Sequence, residues 1–363
     1  MEFQQIDKSK INRDQAIDCV KGCLILMVLI THIKQSALSP IISQTNINYL
    51  MPWKMGLFFI ISGLLYKHNP SFTNFAKWKF NRIIRPTLIL AAAAVVLNPN
   101  STGGSFTRFL WEYSFGVVKS SLVPTWFTLS LFITLITFNI LISLGKNRKA
   151  PVAFLCLSLT ALAYYFSPHG FENGDTWKSV GFQNEILTLP FRLSTLYITL
   201  PLVLVGFLIQ KAEFYKSPFV AALCLPIFLW SMAYLGVRTD MHSNYYSNYI
   251  YGTLCAIISL PVMYQIGNIL RKSKHLNEFL AIISKEAIFI LVLHSVSFSL
   301  MQDLLSISGK ENLNSERTTI VFISGLLIPI ILAYFVNSSS ALKSILFGDS
   351  VKGKSIKATL SST

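Results

Sequence analysis

Charged side chains are scarce in this chain. Asp, Glu, Lys and Arg make up only 13 % of its 363 residues, whereas a soluble domain carries about 25 %. Hydrophobic residues account for 52 %, and the mean hydropathy is +0.53. This composition excludes an ordinary soluble domain and predicts an integral membrane protein.

Acidic residues are scarcer than basic ones, with 16 against 31, so the formal net charge is +15. Such a balance is also typical of nucleic-acid-binding proteins, but the positions of the basic residues argue against that function. Twenty fall in one set of alternate loops between apolar segments and nine in the other set. Cytoplasmic loops carry the excess of Lys and Arg. We therefore expect no nucleic-acid partner, and we expect both termini in the cytoplasm.

Cysteine is also rare, and none of the usual soluble catalytic motifs is present. The five cysteines, at positions 19, 23, 156, 224 and 255, all fall in apolar segments without metal-ligand spacing. We interpret them as small packing residues. The chain contains no P-loop, zinc motif or serine nucleophile elbow. No metal cofactor is expected.

What the chain has in abundance is apolar segments, and about ten of them could cross a bilayer. They cover residues 16–33, 52–66, 83–98, 124–144, 151–166, 193–210, 218–236, 248–270, 282–301 and 320–346. The predicted fold is an all-α polytopic transmembrane helical bundle that forms one domain over residues 1–347. A basic, polar and disordered tail is predicted over 348–363. A cleaved signal peptide is the alternative for residues 1–37.

The first apolar segment contains charged and titratable residues, which favour a retained helix over a signal peptide. A charge at mid-bilayer depth costs about 2.5–3.5 kcal/mol on insertion scales and usually marks a functional pathway. Lys21 and His32 are eleven residues apart, so on a helix they share one face at a separation of roughly 16 Å. Asp18 lies on the same face and can pair with Lys21. Alternatively, Lys21 snorkels to the surface, and His32 packs against a neighbouring helix.

Further motifs follow in a fixed order along the chain. They are the phenylalanines before Ser62-Gly63, the pair Arg82 and Arg85 one helical turn apart, Trp126-Phe127, and a late Leu293-His294. Together with Asp18, Lys21 and His32, this order resembles the acyltransferase 3 family of polytopic bacterial membrane O-acyltransferases. The sugar and polysaccharide O-acetyltransferase branch is the most similar. Lys21 stands where arginine is commoner, and Lys54-Met55-Gly56 stands where that branch often has His-Met-Pro.

The resemblance implies a multi-pass protein of the bacterial inner membrane. It would move an acyl group, expected to be acetyl, from cytoplasmic acetyl-CoA to a hydroxyl of a cell-surface polysaccharide or its lipid-linked precursor. In the implied site, His32 is the general base or acyl carrier, with Asp18 and Lys21 beside it. Arg82 and Arg85 form a phosphate clamp for the donor, with Lys21 near it and Ser62 and Gly63 beside the donor. His294 and Trp126 act as substrate ligand or proton relay.

Each of these motifs has a structural alternative. Ser62-Gly63 also fits a helix contact through small residues, and the arginines also fit ordinary cytoplasmic charges. Lys285 and Glu286 are expected in solvent near the surface. For the whole chain, the alternative is a glycan or ion transporter or flippase, with Lys21, His32 and His294 lining the path. The sequence shows no duplicated halves that would support it.

The charge distribution gives a topology that can be tested by cysteine labelling. In a cysteine-free background, a cysteine replacing Asn147 should resist an impermeant thiol reagent in intact spheroplasts, because that loop is predicted to be cytoplasmic. A cysteine replacing Asn173 should be labelled. An N-terminal tag should stay on the full-length protein. The reverse labelling pattern would place Arg82 and Arg85 on the side of the membrane that lacks coenzyme A.

Overall fold

The fold is helical throughout almost all of the chain that can be described. The computed structural model describes residues 14–33, 53–102, 104–115, 121–146, 148–166, 190–234, 239–240, 245–246, 249–307 and 315–348. Its helices are α1 Gln15–His32, α2 Lys54–Leu64, α3 Phe72–Lys79, α4 Arg85–Leu97, α5 Pro99–Thr102, α6 Phe106–Phe115, α7 Trp126–Leu144, α8 Lys149–Phe166, α9 Leu196–Ile209, α10 Pro218–Tyr234, α11 Tyr249–Leu270, α12 Lys274–Lys285, α13 Ala287–Ile307, α14 Ser315–Ser338 and α15 Ser340–Phe347.

Short irregular elements join these helices. A π-helical turn, Phe80–Ile84, connects α3 to α4. 3₁₀ turns at Val123–Thr125, Pro190–Thr195 and Phe214–Lys216 precede α7, α9 and α10. Two-residue strands, β1 Thr239–Asp240 and β2 Tyr245–Tyr246, pair antiparallel with Thr239 opposite Tyr246. The predicted all-α class is confirmed.

Ten apolar helices in the described residues overlap the ten predicted segments. Six are long and apolar enough to cross a membrane: Gln15–His32, Phe72–Leu97, Val123–Leu144, Tyr251–Leu270, Ala287–Leu305 and Glu316–Ser338. Four more are apolar but shorter: Lys54–Leu64, Lys149–Leu162, Leu196–Ile209 and Pro218–Ser231. The chain is thus a multi-pass membrane protein, and the count of ten spans stays a prediction.

Helix α1 lies among several other helices. Asp14 caps its first turn by accepting hydrogen bonds from the backbone N–H groups of Ala16 and Ile17 at 3.0 and 3.4 Å. α1 packs against α2, α11, α12 and α13. Two glycines make the closest approaches. A Cβ on Gly267 of α11 would lie 2.5 Å from the Ala16 carbonyl oxygen, and one on Gly22 would lie 2.6 Å from that of Leu280. The backbones of α11 and α12 therefore contact α1 directly.

A second pair of glycines joins α2 to α9. A Cβ on Gly63 would overlap the carbonyl oxygen of Val203, and one on Gly206 would overlap that of Ile60. Each helix thus presents a glycine to the backbone of the other, as in small-residue contacts between membrane helices. Gly63 therefore has a packing role in this fold.

The last two predicted segments have different bounds in the structure. The predicted span 320–346 is divided, because Ser339 adopts an extended backbone and its hydroxyl accepts from the Leu342 N–H at 3.3 Å. That residue caps the separate helix α15. The predicted span 282–301 begins instead at Ala287, after α12 has ended at Lys285. The predicted tail after Gly348 lies outside the described residues, as do Asn147 and Asn173.

The glycine contact between α2 and α9 predicts a loss of stability on adding one methyl group. Gly63→Ala and Gly206→Ala should each destabilise the protein by about 1–3 kcal/mol, the usual cost of overpacking. Ala93→Val is a suitable control because Ala93 is exposed. Melting temperatures in detergent and recovery of monodisperse protein would measure the effect. A Gly63→Ala protein with the same melting temperature as the wild type would contradict the contact.

Candidate active site

Two histidines from opposite ends of the chain meet inside the bundle. His32 ends α1, and His294 lies in the second turn of α13. Their ring centroids are 5.0 Å apart, with the ring planes at 73°. His294 is fully buried, and His32 is half-buried. The structure thus places two of the predicted site residues in direct contact.

The hydrogen bonds of the two rings fix where their protons lie. His32 Nδ1 is 2.8 Å from the Val28 carbonyl oxygen, and His294 Nδ1 is 2.8 Å from that of Ile290. A carbonyl oxygen only accepts, so each Nδ1 must donate, and in a neutral ring Nε2 carries the lone pair. Among the described residues, His294 Nε2 is buried without a hydrogen-bond partner. It can accept a proton or a hydrogen bond from a ligand.

The polar residues nearer the start of α1 form a small cluster. Asp18 is 7 % exposed and accepts a hydrogen bond from the Ser284 hydroxyl of α12 at 3.3 Å. Lys21 Nζ lies 3.8 Å from the same carboxylate oxygen, which is the pairing that the sequence predicts. The carboxylate also lies in the first turn of α1, where the helix dipole favours a negative charge. α12 is thereby held against α1.

A cavity of about 250 Å³ opens at one end of the bundle, where the π-helical turn before α4 and the end of α12 meet α13, α14 and α15. Its lining contains three cations and one carboxylate, with aromatic and amide groups between them. The lining residues are Arg82, Lys285, Glu286, Ile288, Phe289, Asn337, Lys343 and Phe347. Two of these residues, Arg82 and Lys343, are among the basic residues that the charge distribution assigns to the cytoplasm.

Glu286 is buried, so the prediction that it lies in solvent is wrong. It is 9 % exposed, and its two carboxylate oxygens accept hydrogen bonds from Asn337 Nδ2 at 3.3 Å each. Lys285 Nζ lies 3.1 Å from one of these oxygens, and its own side chain is largely exposed, as predicted. α14 supplies Asn337, so tertiary packing accounts for the burial of this carboxylate.

The structure separates the two arginines that the sequence treats as one clamp. Arg82 lies in the π-helical turn and lines the cavity, whereas Arg85 begins α4 and is not part of that lining. A Cβ on Gly348 would lie 2.6 Å from Arg85 Nη1. Arg85 therefore lies against the C-terminus of α15, where a helix dipole favours a cation. π-Helical turns often occur at functional sites.

The remaining predicted site residues lie in packed positions. Ser62 donates a hydrogen bond to the Phe58 carbonyl oxygen of its own helix at 2.8 Å. Neither Ser62 nor Gly63 lines the cavity. Trp126 is 6 % exposed, and the 3₁₀ turn that precedes it packs against α13, the helix of His294. Their roles in the donor or acceptor site stay predictions.

Sequence reasoning missed the contributions of Asn337, Lys343 and Phe347. The local sequence does indicate a separate helix here. Ser339 is a favourable N-cap residue, Gly348 is a favourable C′ residue, and the stretch between them is amphipathic. Gly348 has φ +68°, the left-handed conformation that glycine favours. The apolar content of residues 340–347 made them look like a continuation of the last span.

Comparison with known families identifies the family of this chain. The acyltransferase 3 model, which describes an acyltransferase domain, matches residues 14–334. The chain belongs to the acyltransferase 3 family. This acyltransferase 3 protein is therefore a membrane acyltransferase, with α1 to most of α14 in the matched region and α15 beyond it. No curated protein and no solved structure matches the chain.

Proposed function

We propose that the protein is an O-acetyltransferase of the bacterial inner membrane. It transfers an acetyl group from cytoplasmic acetyl-CoA to a hydroxyl of a cell-surface polysaccharide or of its lipid-linked precursor. The observation that carries the proposal is the buried contact between His32 and His294, in a chain of an acyltransferase family.

The histidine pair suits the proton transfer that this reaction needs. The acceptor hydroxyl forms the new C–O bond to the thioester carbonyl carbon, the C–S bond breaks, and coenzyme A leaves as a thiolate. A histidine Nε2 removes the hydroxyl proton and returns it to the departing thiolate. Histidine is suited to both roles because its ordinary pKa lies near neutrality. The second ring can orient the first or bind the acceptor hydroxyl.

The position of the cavity is compatible with a donor that enters from the cytoplasm. Arg82 offers a guanidinium to phosphate groups, and coenzyme A carries several. Phe289 lines the cavity in the first turn of α13, and His294 lies five residues further along that helix, roughly 8 Å by helical rise. The pantetheine arm of coenzyme A is longer than this. One donor molecule could therefore bind the cavity and present its thioester to the histidines.

Substitution of either histidine should abolish acetyl transfer. We expect His32→Ala and His294→Gln to lower turnover by about 10²–10⁴, the usual contribution of a general base. Because Gln retains hydrogen bonding but cannot take up the proton, His294→Gln should stay folded. The measurement is release of free thiol from acetyl-CoA together with a mass gain on the glycan. If the two residues act as one unit, the double variant should be little worse than either single variant.

His275→Ala is the matched control, because His275 is an exposed histidine on α12. It should retain wild-type turnover. A well-folded His32→Ala protein that turns over normally would remove the histidine from the mechanism. Glycan movement across a membrane without thiol release would instead support a transporter.

Substitution of Arg82 should weaken donor binding without affecting use of the acceptor. Loss of a charge-assisted contact of about 1.5–3 kcal/mol predicts a roughly ten- to hundredfold weaker affinity of Arg82→Ala for acetyl-CoA. Arg82→Lys should recover only part of it, because the planar fork is lost. Arg148→Ala removes an exposed arginine outside the cavity and should change nothing. An unchanged donor affinity in Arg82→Ala, with poorer glycan use, would move Arg82 to the acceptor site.

A further inference from the structure

Helix α15 folds back onto the bundle although it lies beyond the region that the family model matches. Leu346 is 5 % exposed, and the Phe347 ring lies 6.3 Å from the buried ring of Phe289, centroid to centroid. Gly348 ends the helix in the left-handed conformation, and Arg85 packs against it. These contacts hold α15 against α4 and the start of α13.

The result of this packing is that α15 forms one wall of the cationic cavity. Lys343 and Phe347 line it together with Arg82, Lys285 and Asn337. The Glu286 carboxylate lies 3.1 Å from Lys285 Nζ and offsets that one charge, so Arg82 and Lys343 remain as the excess. Among the described residues, neither Arg82 nor Lys343 forms an ion pair with Glu286. The cavity thus combines an excess of positive charge with an aromatic wall formed by Phe289 and Phe347.

The size of the cavity indicates which part of a ligand it accepts. Its volume of about 250 Å³ is below the roughly 300–1,000 Å³ of pockets that enclose a whole small-molecule ligand. It therefore suits one phosphate-bearing end of a longer molecule. Lysine binds phosphate as a point charge, and purine bases stack on aromatic rings.

We propose that α15 supplies a subsite for the 3′-phosphorylated adenosine end of the acyl-CoA donor, with Lys343 at the phosphate and Phe347 beside the adenine. This inference rests on the proposed function and adds to it a specificity for the 3′-phosphate, set by a segment outside the matched family domain. A phosphomonoester on a membrane lipid offers the same chemistry. The nucleotide is favoured because Phe289 of the cavity lies five residues before His294 on α13, roughly 8 Å by helical rise, which the rest of the donor can span.

The test compares coenzyme A with 3′-dephospho-coenzyme A as probes on the purified full-length protein. We expect Lys343→Gln to raise the Kd for coenzyme A by about tenfold and to change the Kd for the dephospho form much less. Lys343→Arg should recover most of the loss, and Phe347→Leu should weaken both probes. Lys272→Gln, which removes an exposed lysine outside the cavity, should bind both as the wild type does. Melting temperatures of all variants confirm that they are folded.

Each other outcome overturns a defined part of the argument. Equal coenzyme A affinity in Lys343→Gln and the wild type overturns the α15 subsite while leaving the proposed function intact. Failure of the wild type to bind coenzyme A at all overturns the proposed function itself. A third comparison uses lipid nanodiscs with and without phosphatidic acid. If Lys343→Gln loses phosphatidic acid binding and keeps coenzyme A binding, the cavity is a lipid site and the nucleotide assignment fails.

Discussion

The arrangement of this protein depends on keeping the polar side chains of α1 away from hydrocarbon. A charged or hydrogen-bonding group in a membrane needs protein or water beside it. Asp18 meets Ser284 of α12, and His32 meets His294 of α13. α2 and α11 pack on the same helix. Helices that are distant in sequence are therefore brought to one place by the polar residues of α1, and the candidate site forms where they meet.

Much of this could be predicted from the sequence, because the decisive signals are local. Hydropathy is a property of short windows, so the ten apolar segments could be located, and most of their bounds lie within a few residues of the helices. The shared face of Asp18, Lys21 and His32 follows from helical periodicity alone. The family resemblance rested on residues now found inside the matched region. His294 could be singled out because it lies in a late apolar segment. Its pairing with His32 could not be predicted, because that contact joins residues more than 250 positions apart.

The features that could not be predicted from the sequence depend on tertiary packing. The sequence predicts Glu286 at the surface because it follows Lys285. In the structure, Asn337 of α14 donates a hydrogen bond to its carboxylate. The spacing of Arg82 and Arg85 predicts an equivalent pair one helical turn apart. The π-helical turn between α3 and α4 changes the local helical register, and only Arg82 reaches the cavity. Gly63 likewise fits a ligand contact or a helix contact in sequence, and its position against Val203 shows the second.

The two candidate regions are connected by α13, and that connection limits how the protein can work. The helix begins at the cationic cavity with Ile288 and Phe289 and carries His294 into the buried interior. Because a helix is stiff over two turns, the distance between the cavity and the histidines is nearly fixed. If a donor bound the cavity by its nucleotide end, its thioester would contact a histidine Nε2 only if the length of the donor matched that distance. The same fixed distance would then select the donor and position its reactive carbon. That distance is set by α13 and by the segments that pack on its first turn.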